Sequence, residues 1–286
     1  MKKLIPLFLG GLAIICMRAN AQEFKEHISK EFTLTRDAEA SVLSIYNIDG
    51  PIRVEGYSGN KIIIEIDELI TAEDNQVLET GKKEFRLGFD QGSDTVTAYI
   101  AAPFDSRPHR NWRDRGSERD IEYRTKVSYS VKVPFGINLD ISTVNDGDIS
   151  VNGVSGSLHI NNVNGSISVT AAKGTTRAHT VNGAVTVSYS GTPAGASSYY
   201  TVNGEINVTY PASLSADLQF KSLNGEFFTD FPSVEVLPAK VTKNQENRNG
   251  ATIYKLNKIT EVRIGTGGSS LKFETINGNI YIKKQA

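Results

Sequence analysis

Residues 161–189 read NNVNGSISVTAAKGTTRAHTVNGAVTVSY, and glycines fall in this stretch at positions 165, 174 and 183. The nine-residue interval extends back to Gly156 and Gly147. At every second glycine a three-residue word recurs, an apolar residue followed by Asn-Gly. A short exact period is typical of repeat architectures, in which each unit is one supersecondary element stacked on the next.

The Asn-Gly words continue beyond this stretch with longer spacings, and together they form the structural repeat. Their residues are Asn164, Gly165, Asn182, Gly183, Asn203, Gly204, Asn224, Gly225, Asn277 and Gly278. Asn-Gly pairs favour turns, because glycine accepts a positive φ without steric cost. The words therefore predict a series of equivalent corners.

Alternating residues follow each corner. Apolar side chains stand two and four places after the glycine, as in Ile167 and Val169 or Val185 and Val187, with Ser, Thr and Asn between them. This period of two, rich in β-branched residues, predicts short strands with one buried face.

Two assemblies are compatible with such strands. Asn-Gly turns usually join hairpins, which would give an antiparallel meander. A coil of 18–21 residues with two strands, one after an Asn-Gly corner and one after a plainer glycine, also explains the nine-residue period. The sequence thus predicts an all-β fold, a parallel β-solenoid in which Asn164, Asn182, Asn203 and Asn224 stack as an amide ladder.

The N-terminus has the pattern of a secretory signal. Lys2 and Lys3 precede the apolar residues 4–17, and Ala19-Asn20-Ala21 has small residues at the two positions that a signal peptidase reads. We expect residues 1–21 to be removed and residues 22–286 to form a single domain. Because Cys16 is the only cysteine, the exported chain would have no disulfide and no thiolate metal site. Its apolar stretches predict no membrane span.

Four segments interrupt the repeats. Residues 71–84 predict the only helix, shortened by Gly81, whereas residues 191–201 predict a bulging loop. Residues 238–250 resemble a linker, and residues 105–120, DSRPHRNWRDRGSERD, form a charged insertion.

The net charge and the spacing of the histidines argue against several classes of function. The formal net charge is −1, which gives no electrostatic signature of nucleic-acid binding. His27, His109, His159 and His179 have no metal-ligand spacing. We therefore expect no cofactor, no metal site and no nucleic-acid partner.

The insertion offers the best candidate recognition site. It combines the residues Arg107, His109, Arg110, Trp112, Arg113 and Arg115. An exposed Trp among Arg side chains can anchor an anionic glycan or a partner protein. The alternative without a binding role is a solvated loop whose Trp folds back onto the protein.

Two further surfaces are candidates. Glu205 and Glu226 follow consecutive Asn-Gly words and would lie about 5 Å apart on adjacent coils, which suits glycoside hydrolysis. The strand faces predicted to point outward are rich in Ser, Thr and Asn, with Tyr189, Tyr199, Tyr200 and Tyr210 nearby. Such a wall either binds sugar chains or simply keeps the repeat soluble.

Longer motifs resemble a known family. Val133-Pro134-Phe135-Gly136-Ile137-Asn138-Leu139, the Val-Asn-Gly units, Gly265-Thr266-Gly267-Gly268 and Ile276-Asn277-Gly278-Asn279-Ile280 resemble the bacterial DUF4097 family of β-strand-repeat proteins, often labelled adhesin-like. The resemblance covers roughly residues 40–283 and implies a parallel β-solenoid in an exported or envelope protein. It implies no catalytic residues.

The sequence therefore predicts an exported, non-enzymatic β-solenoid with an adhesion, binding or envelope-scaffold role. It would be periplasmic, on the cell surface or extracellular, and its partner would be an envelope protein or a glycan. Two alternatives remain open at this point: a carbohydrate-active enzyme using Glu205 and Glu226, and a sensory or regulatory envelope module acting through residues 105–120.

Overall fold

A computed structural model describes residues 21–108, 121–248 and 251–286; within 239–259 only the backbone is described. The strands are β1 Gln22–Thr33, β2 Val42–Tyr46, β3 Ile52–Tyr57, β4 Lys61–Ala72, β5 Arg86–Gln91, β6 Thr95–Ala102, β7 Arg124–Pro134, β8 Asn138–Ser142, β9 Ile149–Asn152, β10 Leu158–Asn161, β11 Ile167–Ala172, β12 Thr176–His179, β13 Val185–Tyr189, β14 Ser197–Asn203, β15 Ile206–Tyr210, β16 Ala216–Asn224, β17 Phe227–Thr229, β18 Val234–Arg248, β19 Ala251–Ile264, β20 Ser269–Asn277 and β21 Ile280–Lys284. A short 3-10 turn, Ala38–Ala40, and one helix, α1 Asn75–Glu84, complete the described elements.

The strands form two sheets. Sheet A has the order β1-β4-β7-β3-β9-β11-β13-β15-β21-β17, and sheet B has the order β18-β19-β16-β20-β14-β12-β10-β8-β2-β6-β5. From β8 to β17 the chain alternates between the sheets, so that one coil contributes one strand to each. The Asn-Gly corners lead into sheet A, and the plain glycines Gly156 and Gly174 lead into sheet B.

Equivalent strands of successive coils pair in parallel. Ile167 of β11 pairs with Val185 of β13, and Val185 pairs with Ile206 of β15. The prediction of an all-β fold with long parallel sheets is confirmed. An antiparallel meander is wrong for these strands, because the chain crosses to the other sheet between two strands of the same sheet.

Apolar columns fill the space between the sheets. In sheet A the column is fully buried at Ile52, Ile149, Ile167, Val185, Ile206 and Ile280. These are the residues two places after each corner glycine, so the alternating pattern predicted the inward face correctly. The unit after Gly174 buries only the small side chains Thr176 and Ala178, as its pattern predicts.

Antiparallel strands close the N-terminal end of the stack. β4 pairs antiparallel with β1 and β7, and β5 pairs antiparallel with β6. Helix α1 packs on this end through Leu78 and Gly81. Gly81 does not shorten the helix as expected. It lies inside α1, where a Cβ would be 2.9 Å from Tyr123 Cγ and 3.0 Å from Ile70 Cγ2, so close packing rather than helix termination requires glycine.

Two predicted irregular segments are strands. Residues 238–248 belong to β18, which pairs with β19 in a long antiparallel hairpin, so the linker prediction is wrong. Of the expected loop 191–201, residues from Ser197 onward form β14. Both segments contain too many polar residues for their pairing to be visible in the hydrophobic pattern alone.

Candidate functional site

The asparagines of the repeat form a continuous amide ladder along one corner of the stack. Each Nδ2 donates to the Oδ1 of the preceding rung, with N–O distances of 2.7–2.9 Å, in the order Asn145, Asn164, Asn182, Asn203, Asn277 and Asn224. Asp49 heads this ladder, because it bridges to Asn145. Burial raises the pKa of Asp49, while its hydrogen bond with Asn145 opposes that rise.

The order of the rungs differs from the order of the sequence. β21 lies between β15 and β17, and β20 lies between β14 and β16. Asn279 therefore separates Glu205 from Glu226, and Asn279 Oδ1 accepts the Glu226 backbone N–H at 3.0 Å. The prediction that these two glutamates lie on adjacent coils is wrong, because the final coil inserts between theirs.

The corner glycines are required by close approach. A Cβ on Gly165 would collide with the carbonyl oxygen of Gly147, and a Cβ on Gly183 would collide with that of Gly165. Among the described glycines that precede the strands of sheet A, the expected positive φ is found at Gly50 and Gly278. Stacked corners leave no room for a side chain. Glycine is therefore required here by contact between coils, which no local turn rule predicts.

A buried polar column that the sequence analysis missed supports these corners. Three residues before a glycine, a side chain donates to the carbonyl of the preceding corner: Asn162 to Gly147, Thr180 to Gly165 and Thr201 to Gly183, at 2.8–2.9 Å. In the sequence, the Thr that recurs in the words Thr-Val-Asn-Gly indicates this column. These bonds satisfy carbonyls that would otherwise be buried without a partner.

The outer face of sheet B carries the most varied set of exposed side chains. One register row crosses eight strands, and we call it the Tyr99–Lys221 row. Its members are Tyr99, Tyr46, Ser142, Asn161, His179, Tyr200, Glu274 and Lys221. Adjacent members lie one strand spacing, about 4.8 Å, apart. All are exposed or half-buried, so the row is a flat band of rings, amides and one ion pair, Lys221 with Glu274.

Arg107 closes one end of this row. Its guanidinium carbon lies 3.9 Å from the centroid of the Tyr99 ring, and its side chain contacts Asp105 at 2.7 Å and Asp90 at 2.8 Å. Bonding to Asp105 raises the pKa of Arg107. Of the predicted recognition residues, only Arg107 is described. His109, Arg110, Trp112, Arg113 and Arg115 lie outside the described residues.

Polar contacts fix the rings in the middle of the face. Tyr46 Oη donates to Asp140 Oδ2 at 2.7 Å, and Asp140 Oδ1 contacts His159 Nδ1 at 2.9 Å. Burial, followed by the bond to Asp140, raises the pKa of Tyr46 to about 12. The His179 ring lies 4.7 Å from that of Tyr200, and burial followed by the nearby His159 lowers the pKa of His179. These contacts hold the rings of the face in place. Because its pKa is lowered, His179 is uncharged near neutral pH.

Three of the tyrosines expected outside are in the core. Tyr189, Tyr199 and Tyr210 are fully buried, and Tyr199 Oη bonds to Tyr189 Oη at 2.7 Å and to Tyr210 Oη at 3.1 Å. Tyr189 and Tyr210 each extend an inward period of two, Val185-Val187-Tyr189 and Ile206-Val208-Tyr210, so their positions were readable from the pattern. Only Tyr200 belongs to the outer wall.

The described residues offer little metal chemistry. Within residues 21–108, 121–248 and 251–286 no group of three or more His, Cys, Asp or Glu side chains is arranged to hold a metal ion. His159 pairs with Arg177, and His179 pairs with Asn161, so the two histidines occupy different register positions. In the same described ranges, no helix has the length and apolarity needed to cross a membrane.

Comparison with solved structures gives distant similarity. A candidate cell adhesion protein from Clostridium sporogenes is 10% identical, with a TM-score of 0.44, covering 92% of this chain and 100% of that chain. A candidate adhesin from Bacteroides fragilis is also 10% identical, with a TM-score of 0.39, covering 91% of this chain and 97% of that chain. No curated protein matches the chain.

Comparison with protein families gives a direct match. The family model described as Toastrack DUF4097 matches residues 137–261, which include the regular coils from β8 to β17. The matched residues contain the ladder members Asn145, Asn164, Asn182, Asn203 and Asn224, whereas Asn277 lies beyond them. The resemblance to the DUF4097 family that the sequence motifs indicate is therefore confirmed by a family match over residues 137–261.

Proposed function

We propose that the protein is an exported, non-enzymatic binding module of the bacterial cell envelope, a β-solenoid that presents the outer face of sheet B to a glycan. Residues 1–21 would be its signal peptide, and residues 22–286 its mature domain. The Tyr99–Lys221 row is the observation that carries this proposal. It offers rings for sugar faces and amide, hydroxyl and charged groups for sugar hydroxyls, which is the combination that ligand sites use for orientation and specificity.

The rigidity of the scaffold supports this function. Every member of the row stands on a paired strand whose opposite side chains are buried, so the row loses little conformational entropy on binding. At its end the Arg107 guanidinium stacks on the Tyr99 ring and is held there by Asp105 and Asp90, so it extends the planar ring surface with its charge already compensated.

A glycan-binding experiment tests the proposal. Residues 22–286 would be screened on an array of bacterial polysaccharides, and the best ligand titrated by calorimetry. We expect Tyr200→Ala and Tyr46→Ala to weaken binding at least tenfold, while Tyr281→Ala, an equally half-buried tyrosine on the outer face of sheet A, leaves it unchanged. Equal effects of all three variants, or no bound glycan, would contradict the proposal.

Two alternatives make different predictions. A carbohydrate-active enzyme would turn over a bound polysaccharide, and Glu205→Gln or Glu226→Gln would abolish that turnover. A sensory or regulatory module would depend on a partner protein and on residues 105–120. Deletion of 109–120 with retained glycan binding but lost capture of that partner would favour the regulatory module.

A further inference from the structure

The two sheets end at different heights at the C-terminal end of the stack. Beyond the coil of β16 and β17, sheet B continues with β19 and β18, whereas β17 is the last strand of sheet A. The inner face of these extra strands therefore has no opposing strand among the described residues. This end differs from the N-terminal end, where β1, β4, β7, β5 and β6 extend both sheets.

Burial on this inner face falls abruptly at its outermost strand, β18. Leu218, Val262 and Val236 are register partners across β16, β19 and β18, and their exposed fractions are 0%, 3% and 73%. Val236 thus has the strand position of a core residue and the exposure of a surface residue. Leu223, at the adjacent corner, is 76% exposed. Covering such apolar side chains with a partner would favour binding.

The backbone edge of β17 is also available. Ile280 N donates to Glu226 O at 2.9 Å, so the carbonyl of Glu226 faces β21. Because successive residues of a strand direct their polar groups to opposite sides, the N–H and C=O of Phe227 face the free edge. β17 is short, but neither a lysine nor a proline within it protects this edge.

The corner carbonyls and ladder amides of the stack have hydrogen-bond partners from the following coil at the described rungs before this last one. The carbonyls of Gly147, Gly165 and Gly183 accept side-chain hydrogen bonds from the following coil, but that of Gly225 accepts none from the described residues. Likewise Asn224 Nδ2 donates to Asn277 Oδ1, while Asn224 Oδ1 receives no described donor. The free edge of β17, the Gly225 corner and the apolar face at Val236 therefore lie at the same end of the stack, and each lacks a partner among the described residues.

We propose that this end binds an extended segment of a partner protein, added parallel to β17 as one more strand of sheet A. The recognised segment has the form Thr-Φ-Asn-Gly-x-Φ-x-Φ followed by basic residues. Its Asn donates to Asn224 Oδ1, its Thr donates to Gly225 O, and its alternating apolar side chains cover Val236. The exposed Asp230, which directly follows β17, lies level with the basic residues of such a segment and favours them. Such strand addition obtains affinity from main-chain bonds and specificity from alternate side chains.

The chain itself supplies a suitable probe. Residues 275–284 read TINGNIYIKK, and this segment already pairs with β17 from the other side. A fluorescent synthetic peptide of this sequence would be titrated by anisotropy against residues 22–286. We expect saturable binding, at least tenfold weaker for the peptide carrying Gly278→Val, because a side chain there would collide with the Gly225 carbonyl.

Protein variants locate the site. Val236→Lys places a charge on the uncovered face at a position that is already exposed, so it should fold normally and weaken binding of the unmodified peptide at least tenfold. Phe135→Lys, a change at a residue 49% exposed elsewhere, should leave binding unchanged. Absence of saturable binding, or equal binding to all three proteins, would overturn the proposal.

A second copy of this chain is the competing occupant. Analytical ultracentrifugation of residues 22–286 distinguishes it. A monomer that binds the peptide supports strand addition by a partner protein. A dimer that Val236→Lys dissociates and Phe135→Lys preserves would instead make this end a homodimer interface and overturn the proposal of a foreign strand.

Discussion

Asn277 Nδ2 donates to Asn203 Oδ1 at 2.7 Å, although the two residues are 74 positions apart in the chain. This bond joins the first four rungs of the amide ladder to the last two, since Asn203 and Asn224 are each hydrogen-bonded to Asn277. The ladder is therefore a tertiary feature that requires the C-terminal coil.

An interior rung should matter more than the terminal one. Asn203→Ala removes two side-chain hydrogen bonds, so we expect the free energy of unfolding to fall by about 1–2 kcal/mol. Asn224→Ala removes one bond and should cost about half as much. Urea denaturation with a constant m-value measures both changes. A larger loss at Asn224 would contradict cooperative stacking of the ladder.

Close approach of the corners gives a second prediction. Gly183→Ala places a Cβ against the carbonyl oxygen of Gly165, and we expect a loss of at least about 2 kcal/mol. Gly191→Ala is the matched control, because a Cβ there meets no atom within 4 Å. Its effect on the free energy of unfolding should lie within about 1 kcal/mol of zero. Equal losses in the two variants would indicate a flexible corner.

The buried tyrosine hydroxyls give a third prediction. Tyr199→Phe removes the hydroxyl that joins Tyr189 Oη and Tyr210 Oη in the core. Since buried groups then lose partners, we expect a loss of about 1–3 kcal/mol in thermal unfolding. Tyr200→Phe alters the neighbouring outward ring and should be nearly neutral. A neutral Tyr199→Phe would show that the hydroxyl network adds no stability.

The dependence of stability on pH supplies a fourth prediction. Glu68 is 8% exposed and stands directly opposite Glu26, and burial followed by that neighbour raises its pKa from 4.5 to about 6. Between these pH values the folded protein holds a proton that the unfolded chain has released, so stability falls as pH rises through this window.

Glu68→Gln removes this proton linkage. We expect the variant to be about 1–2 kcal/mol more stable than the wild type at pH 7 and to show a flatter profile between pH 4.5 and 6. Glu73→Gln, at an exposed position just after β4, should keep the wild-type profile. Unfolding measured by urea at several pH values checks both. A steeper fall in the Glu68→Gln variant would show that a group other than Glu68 carries the proton linkage.

The repeat itself could be predicted from the sequence, because both the nine-residue period and the alternation are local properties. Ile167 and Val169 were placed inside correctly on that basis. The neighbours of each coil could not be predicted, because the pattern states which face is buried but not which strand lies beside it. For that reason Glu205 and Glu226 were paired wrongly, with the hairpin of β18 and β19 hiding the insertion of β20 and β21.

The candidate site was harder to predict for a related reason. The Tyr99–Lys221 row is assembled from strands as distant as β6 and β20, and its members share only a register position. Tyr99 and Tyr46 belong to no repeat word, so nothing local connects them with Tyr200. Arg107 was found from its charged surroundings, but its contact with Tyr99 depends on tertiary structure.

The insertion of the last coil also constrains how the chain acquires its structure. Until β20 and β21 exist, the strands on either side of them have no shared partner, so synthesis or translocation cannot deposit the coils one upon another from first to last. The position between β14–β15 and β16–β17 must stay vacant while the hairpin is made and then be filled by residues 269–284. A truncation before Ser269 would therefore detach β16, β17 and the hairpin from the regular coils, although all of these strands precede the deleted residues in the chain.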